Sequence, residues 1–273
     1  MEYRISLTGD LGSGKSTVGK IIAEKKGCEI YSTGKICRQI AASRGINDIK
    51  EMNLYMAEHP EIDKEIDDGL VALSEKPGNL IVDSRMAWHF TAGTFKVYLS
   101  AAIDVTAERI FNDKRSGESY SSIEEMKKSN IERKNSENSR YFDMYGVNIY
   151  DMTNYDLIVD TTAASPAEAA ELIIAGCEGK LASNAYIYPP RLLPTENREN
   201  DGDEVVICCH NNNFFIVKGH GAVMKAIVNN DVFIPCRIIK SEDDGKYSDY
   251  RVSDHRKWFD ELYRLGRREF TRY

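Results

Sequence analysis

Residues 9–16, Gly9-Asp10-Leu11-Gly12-Ser13-Gly14-Lys15-Ser16, place glycines, a lysine and a hydroxyl at the spacing G-x-x-x-x-G-K-[ST]. Glycines at these positions let the backbone turn its N–H groups inward around phosphate oxygens. Lys15 can reach the β- and γ-phosphates, and the Ser16 hydroxyl can ligate Mg²⁺. A helix that begins here adds the positive end of its dipole. Gly9, Asp10, Gly12, Ser13, Gly14, Lys15, Ser16 and Thr17 are therefore the expected nucleotide-binding residues, with ATP and Mg²⁺ as the implied cofactors. The motif leaves open where the terminal phosphate goes: to water, to a protein or to a small molecule.

The acceptor side is read from three further groups. In Ser32-Thr33-Gly34-Lys35-Ile36-Cys37-Arg38, Ser32 or Thr33 can cap a helix whose first turns carry Arg38. An arginine there can fork onto an acceptor phosphate. Asp83, at the end of a strand, can hold Mg²⁺ through water or orient the surroundings of the acceptor phosphate, and joins Ser16 as the expected metal pair. Arg85 lies just beyond it. Arg133, Glu137 and Arg140 are spaced i, i+4, i+7, so one helix face presents two arginines around a carboxylate. Such a face suits a solvated ion-pair stripe, or a segment that brings cations to a transferring phosphoryl group and keeps water out. The polar stretch 111–122, with Lys114 and Arg115, reads as a hinge before it.

These groups need a scaffold. Short apolar runs at 3–8, 28–32, 79–84, 95–100 and 155–162 alternate with helix-like segments at 14–25, 34–45, 48–57, 60–74, 104–113, 121–144 and 165–177. Strands alternating with helices predict an α/β fold, a parallel sheet covered on both faces, with ligands beyond the carboxyl ends of the strands. After residue 180 the texture changes. Pro189, Pro190 and Pro194 precede a polar acidic stretch, which reads as a boundary or an extended entry segment. Strand-like runs at 204–209, 213–219 and 232–239, with helices at 221–229 and 254–268, predict a small α+β domain over 185–273, following a domain over 1–180.

Composition limits the choices. The chain has 273 residues, 42% hydrophobic and 29% charged, as expected of a protein that buries a core. No run of 18 apolar residues occurs, so no membrane span is predicted. "MEYRISLTG" enters a strand-like run directly, which predicts no secretion leader and a cytoplasmic location. Residues 185–273 carry 14 basic and 14 acidic residues, so the net charge of −7 lies in residues 1–184. That balance disfavours a broad nucleic-acid surface and leaves such a contact to the C-terminal domain. The six cysteines lack paired C-x-x-C spacing and read as free thiols.

Taken in order, "GDLGSGKST", "STGKICR", "AEHPEIDKEIDD", "LIVDSR", "IERKNSENSRYFDMYG" and "YDLIVDTT" resemble the nucleoside monophosphate kinases, most closely the compact cytidylate kinases, over about residues 1–178. The resemblance implies a five-stranded parallel sheet, ATP-Mg²⁺ as donor and CMP or dCMP as acceptor. It also implies that Lys15 binds donor phosphates, that Arg38, Arg85, Arg133 and Arg140 grip acceptor and transferring phosphates, and that Asp83 lies near the metal. Many cytidylate kinases carry Gly-Arg-Asp after the third-strand acid, whose final Asp helps to recognise cytosine. Here the run is Asp83-Ser84-Arg85-Met86, and Met86 cannot hydrogen-bond an amine. His59, Glu61 and Asp63 are the alternative base contacts.

The C-terminal segment, through "YIYPPRLLPTEN", "FFIVKGHGAVMKAI" and "VFIPCRII", resembles the domain shared by ParB-type proteins, sulfiredoxins and free-serine kinases. Their Gly-His-x-Arg box appears as Gly219-His220-Gly221-Ala222, with the histidine but without the arginine. Two other readings therefore stand beside nucleotide phosphorylation. One is transfer to another hydroxyl, on a nucleoside, a free amino acid or a modified base in nucleic acid. The other is a DNA-associated nucleotide switch.

Overall fold

A computed structural model describes residues 1–46, 51, 55–56, 58–113, 120–196, 202–240, 247, 250–267 and 269–271. The side chains of Arg38 and Pro60 lie outside the described residues, as do Lys114, Arg115 and most of the helix expected at 48–57. The first two-thirds of the chain runs β1 (Arg4–Gly9), α1 (Lys15–Lys26), β2 (Glu29–Ser32), α2 (Thr33–Ser43), α3 (Pro60–Ala72), β3 (Leu80–Asp83), α4 (Ala87–Phe90), β4 (Phe95–Ser100), α5 (Ile103–Asn112), α6 (Ile123–Tyr145), β5 (Leu157–Asp160) and α7 (Pro166–Cys177). Strands β2-β3-β1-β4-β5 lie side by side in that order, all parallel.

Side chains along these strands divide with period two between the faces. Ile5, Leu7, Ile81, Val97, Leu99, Leu157 and Val159 pack with Val18 and Ile22 of α1 and with Ala169 and Ile173 of α7. Leu80, Val82, Tyr98 and Ile158 face the other way and pack with Ile66 and Leu70 of α3. Burial on both faces explains why these strands read as near-continuous apolar runs. Helix ends follow local chemistry. The Ser122 hydroxyl accepts from Glu125 N–H to start α6, and Gly146, at φ 67°, ends it. Ser165 and Glu168 form a capping box at the start of α7, with Pro166 in the first turn.

The remaining elements are β6 (Ala185–Ile187), β7 (Leu192–Pro194), β8 (Val206–His210), β9 (Asn213–Lys218), α8 (His220–Asn229), β10 (Ile234–Ile239) and α9 (Arg256–Arg264). They extend the same sheet, whose full order is β2-β3-β1-β4-β5-β6-β10-β8-β9-β7. β6 pairs in parallel with β5, and β10 then pairs antiparallel with β6. The proline-rich stretch, read from the sequence as a boundary or an extended entry segment, holds two three-residue strands, β6 and β7, separated by a turn at Pro189–Arg191.

A buried ion pair ties the two stretches together. Arg191 lies 3.0 Å from Asp160 at the end of β5, with side-chain exposures of 6% and 0%. Asp160 also accepts from Tyr188 N–H, and Arg191 donates to the Ser100 hydroxyl. Among the described residues, no helix is long and apolar enough to cross a membrane, and no group of three or more His, Cys, Asp or Glu side chains could hold a metal ion. None of the six cysteines forms a disulfide.

Candidate active site

The 9–16 loop sits between the end of β1 and the start of α1, at the carboxyl end of the central strand. Gly9 is needed there because a Cβ on it would stand 2.3 Å from the Leu99 carbonyl oxygen. Gly14, at φ 87°, caps α1 and has no side chain to bond the first-turn amides. The Lys15 and Ser16 N–H groups therefore remain for an anion, whereas Thr17 N–H already donates to the Gly14 carbonyl at 3.0 Å. Lys15 folds back over the loop and donates to the carbonyls of Gly9 and Asp10 at 2.9 and 3.0 Å. Burial, and then the Arg85 guanidinium, push its ammonium down to about 7. Phosphate oxygens entering the loop bring the negative charge that the cation lacks there.

Asp10 contributes backbone to the loop, while its carboxylate is drawn beneath it. The carboxylate accepts from Tyr98 at 2.8 Å, from Ala101 N–H at 3.0 Å and from Lys134 at 3.0 Å. Burial works against its charge, but Lys134 and these hydrogen bonds outweigh it and hold the group at about 2. The loop is thus anchored from below. On its far flank, Thr161 donates to the Ser13 carbonyl at 2.8 Å, and Arg109 donates to the Thr161 carbonyl at 2.7 Å.

Ser16 and Asp83 come together as expected, the hydroxyl donating to the carboxylate at 3.2 Å. Both are hard oxygen donors at the mouth of the loop. One hydroxyl and one carboxylate, with phosphate oxygens and water completing the set, suit Mg²⁺.

Beside the loop is a cavity of about 240 Å³ whose walls include Lys15, Ser16, Asp63, Asp67, Asp83, Arg85, Met86, Arg133, Glu137, Arg140 and Tyr141. It gathers residues from β3, α3 and α6 that lie far apart in sequence. Glu137 holds two of the arginines at once, accepting from Arg85 Nε at 2.9 Å and from Arg133 Nε at 2.8 Å. Burial opposes its charge, but Arg85 and Arg133 prevail and hold the carboxyl at about 2. Arg85 also donates to the Gly9 carbonyl, which aims it at the loop. Arg140 stands 3.6 Å from Asp63, and its buried Nε has no partner among the described residues. Arg133, Glu137 and Arg140 therefore form a wall of the cavity rather than a solvated stripe.

Arg38 lies on α2, which borders this cavity through Thr33, Gly34 and Cys37; its side chain falls outside the described residues. His59 and Glu61 pair with each other on the surface at 2.8 Å, away from the cavity walls. Asp63 does line it, and so does Asp67, one helical turn later. Burial raises both carboxyls above their usual range, opposed by Arg140 at Asp63 and by the Tyr145 hydroxyl at Asp67. Asp67 and Tyr141 were absent from the sequence-based site, although Asp67 could have been found from its i+4 spacing to Asp63. Met86 is buried in the cavity wall, with no polar atom to offer.

His220 is buried at the first turn of α8, where its Nε2 accepts from Thr195 N–H at 3.1 Å and Glu196 N–H at 3.3 Å. It fastens the chain after β7 to that helix.

A family model described as an AAA domain matches residues 5–135. A cytidylate kinase of Thermoplasma volcanium is 36% identical over 194 residues, which is 70% of this chain and 98% of that protein. The chain belongs to the cytidylate kinase family. It is an ATP-dependent phosphotransferase with the P-loop kinase fold. An S-adenosylmethionine-dependent nucleotide dehydratase of Lacinutrix mariniflava is 35% identical over 174 residues, 64% of this chain and 36% of that protein. Shikimate kinase from Bacteroides thetaiotaomicron aligns over 65% of this chain and 99% of its own, with 16% identity and a TM-score of 0.46. The match leaves close to a third of the chain as an addition to the Thermoplasma relative.

Proposed function

We propose that the protein transfers the γ-phosphoryl group of ATP to the phosphate of CMP or dCMP, giving ADP and the nucleoside diphosphate. The observation that carries this reading is the arginine wall. Arg85, Arg133 and Arg140 surround a cavity that opens onto Lys15 and the Ser16–Asp83 pair. Three guanidiniums beside a phosphate loop suit an acceptor that already carries phosphate, since their N–H donors outnumber what Glu137 and Asp63 accept and the buried Arg140 Nε has no partner among the described residues.

In the reaction, a phosphate oxygen of the acceptor attacks the γ-phosphorus and the bond to the β,γ-bridging oxygen breaks, its electron pair leaving on ADP. No covalent enzyme intermediate is needed. Lys15 and the first-turn amides of α1 hold the donor phosphates. Arg85 and Arg133, fixed by Glu137, face charge on the transferring group, and Arg140 holds the acceptor. Ser16 and Asp83 would hold Mg²⁺, which when bound would supply neutralisation of the phosphate oxygens. Catalysis then rests on alignment and on preorganised charge.

Cytosine presents an exocyclic amine, which only an acceptor group can recognise. With Met86 apolar, Asp63 and Asp67 on α3 supply carboxylate oxygens in the same cavity. The test is ADP formation against a panel of nucleoside and deoxynucleoside monophosphates, for the native chain and for Asp63→Asn. The expected result is turnover with CMP and dCMP well above UMP, with the preference narrowed in Asp63→Asn. Equal turnover of CMP and UMP by the native chain would overturn the base assignment. No turnover of any monophosphate would overturn the acceptor class.

A further inference from the structure

The phosphate loop has two flanks. One opens into the arginine-walled cavity, which the acceptor fills. On the other, Thr161 and Arg109 bond the loop carbonyls of Ser13 and Gly12, at 2.8 and 3.5 Å. A donor whose γ-phosphate points at the acceptor must lead its ribose and base away past this second flank. A second cavity, of about 280 Å³, lies there, lined by Val105, Thr162 and Ala163 and by Tyr188, Gly266, Arg267 and Phe270. Val105 lies one helical turn before Arg109 on α5, and Thr162 and Ala163 directly follow Thr161. Four of the seven residues come from the segment added beyond α7.

We propose that Arg267 and Phe270, with Tyr188, form the wall against which the base of ATP packs, so that the added segment completes the donor site. The inference rests on the reading that the 9–16 loop binds ATP. The space is large enough to take a ring system. Its chemistry suits a π-system. The Tyr188 and Phe270 rings meet edge to face, with centroids 6.1 Å apart. Arg267 adds a planar cation, and Val105 and Ala163 add apolar surface.

The wall is also held in place. Thr271 donates through its N–H and its hydroxyl to Asp104, at 2.7 and 2.8 Å. Asp104 begins α5, the helix that carries Val105 and Arg109, and it also pairs with Lys127 of α6 at 2.8 Å. The strap at 269–271 therefore closes onto the donor flank and not onto a remote surface.

Calorimetric titration of the full-length chain with ATP and, separately, with inorganic tripolyphosphate tests the proposal, both with Mg²⁺. Phe270→Ala and Arg267→Ala are each expected to weaken ATP about tenfold, the effect of losing one stacking partner for a base. Tripolyphosphate should change by less than twofold, and Phe270→Tyr should restore ATP. Unchanged ATP affinity in both alanine variants overturns the proposal. So does a parallel loss of both ligands, the mark of a merely structural role. Lys15→Ala serves as the reference and should lose both ligands. If it keeps both, the failure lies in the reading of the phosphate loop and not in that of the wall.

Discussion

Glu137 is where the charge balance of the cavity can be tested quantitatively. It is the buried anion between Arg85 and Arg133, with 11% of its side chain exposed. The arginines hold its carboxyl at about 2, against an ordinary 4.5. At 1.36 kcal/mol per pH unit, this corresponds to about 3 kcal/mol of stability at neutral pH. An independent guide agrees, since removing one partner of a buried ion pair costs about 3–5 kcal/mol. The folded value is depressed, so the contribution is complete above about pH 4.5 and is lost as the pH falls through about 2. Glu137→Gln keeps the shape and removes the charge. Urea unfolding should show it less stable by about 3 kcal/mol at pH 7, with the gap shrinking to about 1 kcal/mol at pH 3. Turnover should fall about 10- to 100-fold, because two guanidiniums lose their aim. A gap under about 1 kcal/mol at pH 7, or one of equal size at both pH values, would refute this reasoning.

Further outcomes follow from the same geometry. Lys15→Ala should lower turnover at least about 10²–10³-fold while leaving the circular dichroism spectrum unchanged, since it removes a charge aimed at the phosphates. Arg191→Met should cost about 3–5 kcal/mol in chemical denaturation, because it leaves Asp160 buried and unpaired at the end of β5. Truncation after residue 180 removes Arg191 together with β6, and should lower the melting temperature and increase binding of a hydrophobic dye. A truncated chain that melted at the same temperature would show that the shared sheet is dispensable. Asp63→Asn should raise KM for CMP more than kcat changes, read from steady-state kinetics across the monophosphate panel.

The phosphate loop was legible because its motif is local. Eight consecutive residues carry the whole pattern, and Gly14 and Lys15 stand where the spacing puts them. The parallel strands were legible because both of their faces are buried, which leaves uninterrupted apolar runs such as Leu80–Val82. The arginine face of α6 was legible in register only. Its role depends on Arg85, 52 positions from Glu137 in the chain, and no local signal reports such a contact.

The extended sheet was hidden for a different reason. β6 and β7 are three residues each and flank Pro189 and Pro190, so turn chemistry dominates the sequence and pairing with β5 and β9 decides the structure. Lys134 shows the same limit. A lysine in a polar helix reads as solvated, yet here it is drawn inward to Asp10 by a charge 124 positions away. The proposed base contacts were half visible. Asp63 was a candidate, while the side chains that its helix turns toward the cavity could be separated from His59 and Glu61 only once α3 was seen against β3.

The most direct test of the account follows the phosphoryl group itself. The full-length chain is incubated with ATP labelled at the γ-phosphate, Mg²⁺ and CMP, and the products are separated. The account predicts label in the β-phosphate of CDP, at a rate that Lys15→Ala abolishes. Label found only in inorganic phosphate, or in CDP at the same rate in Lys15→Ala, would contradict it.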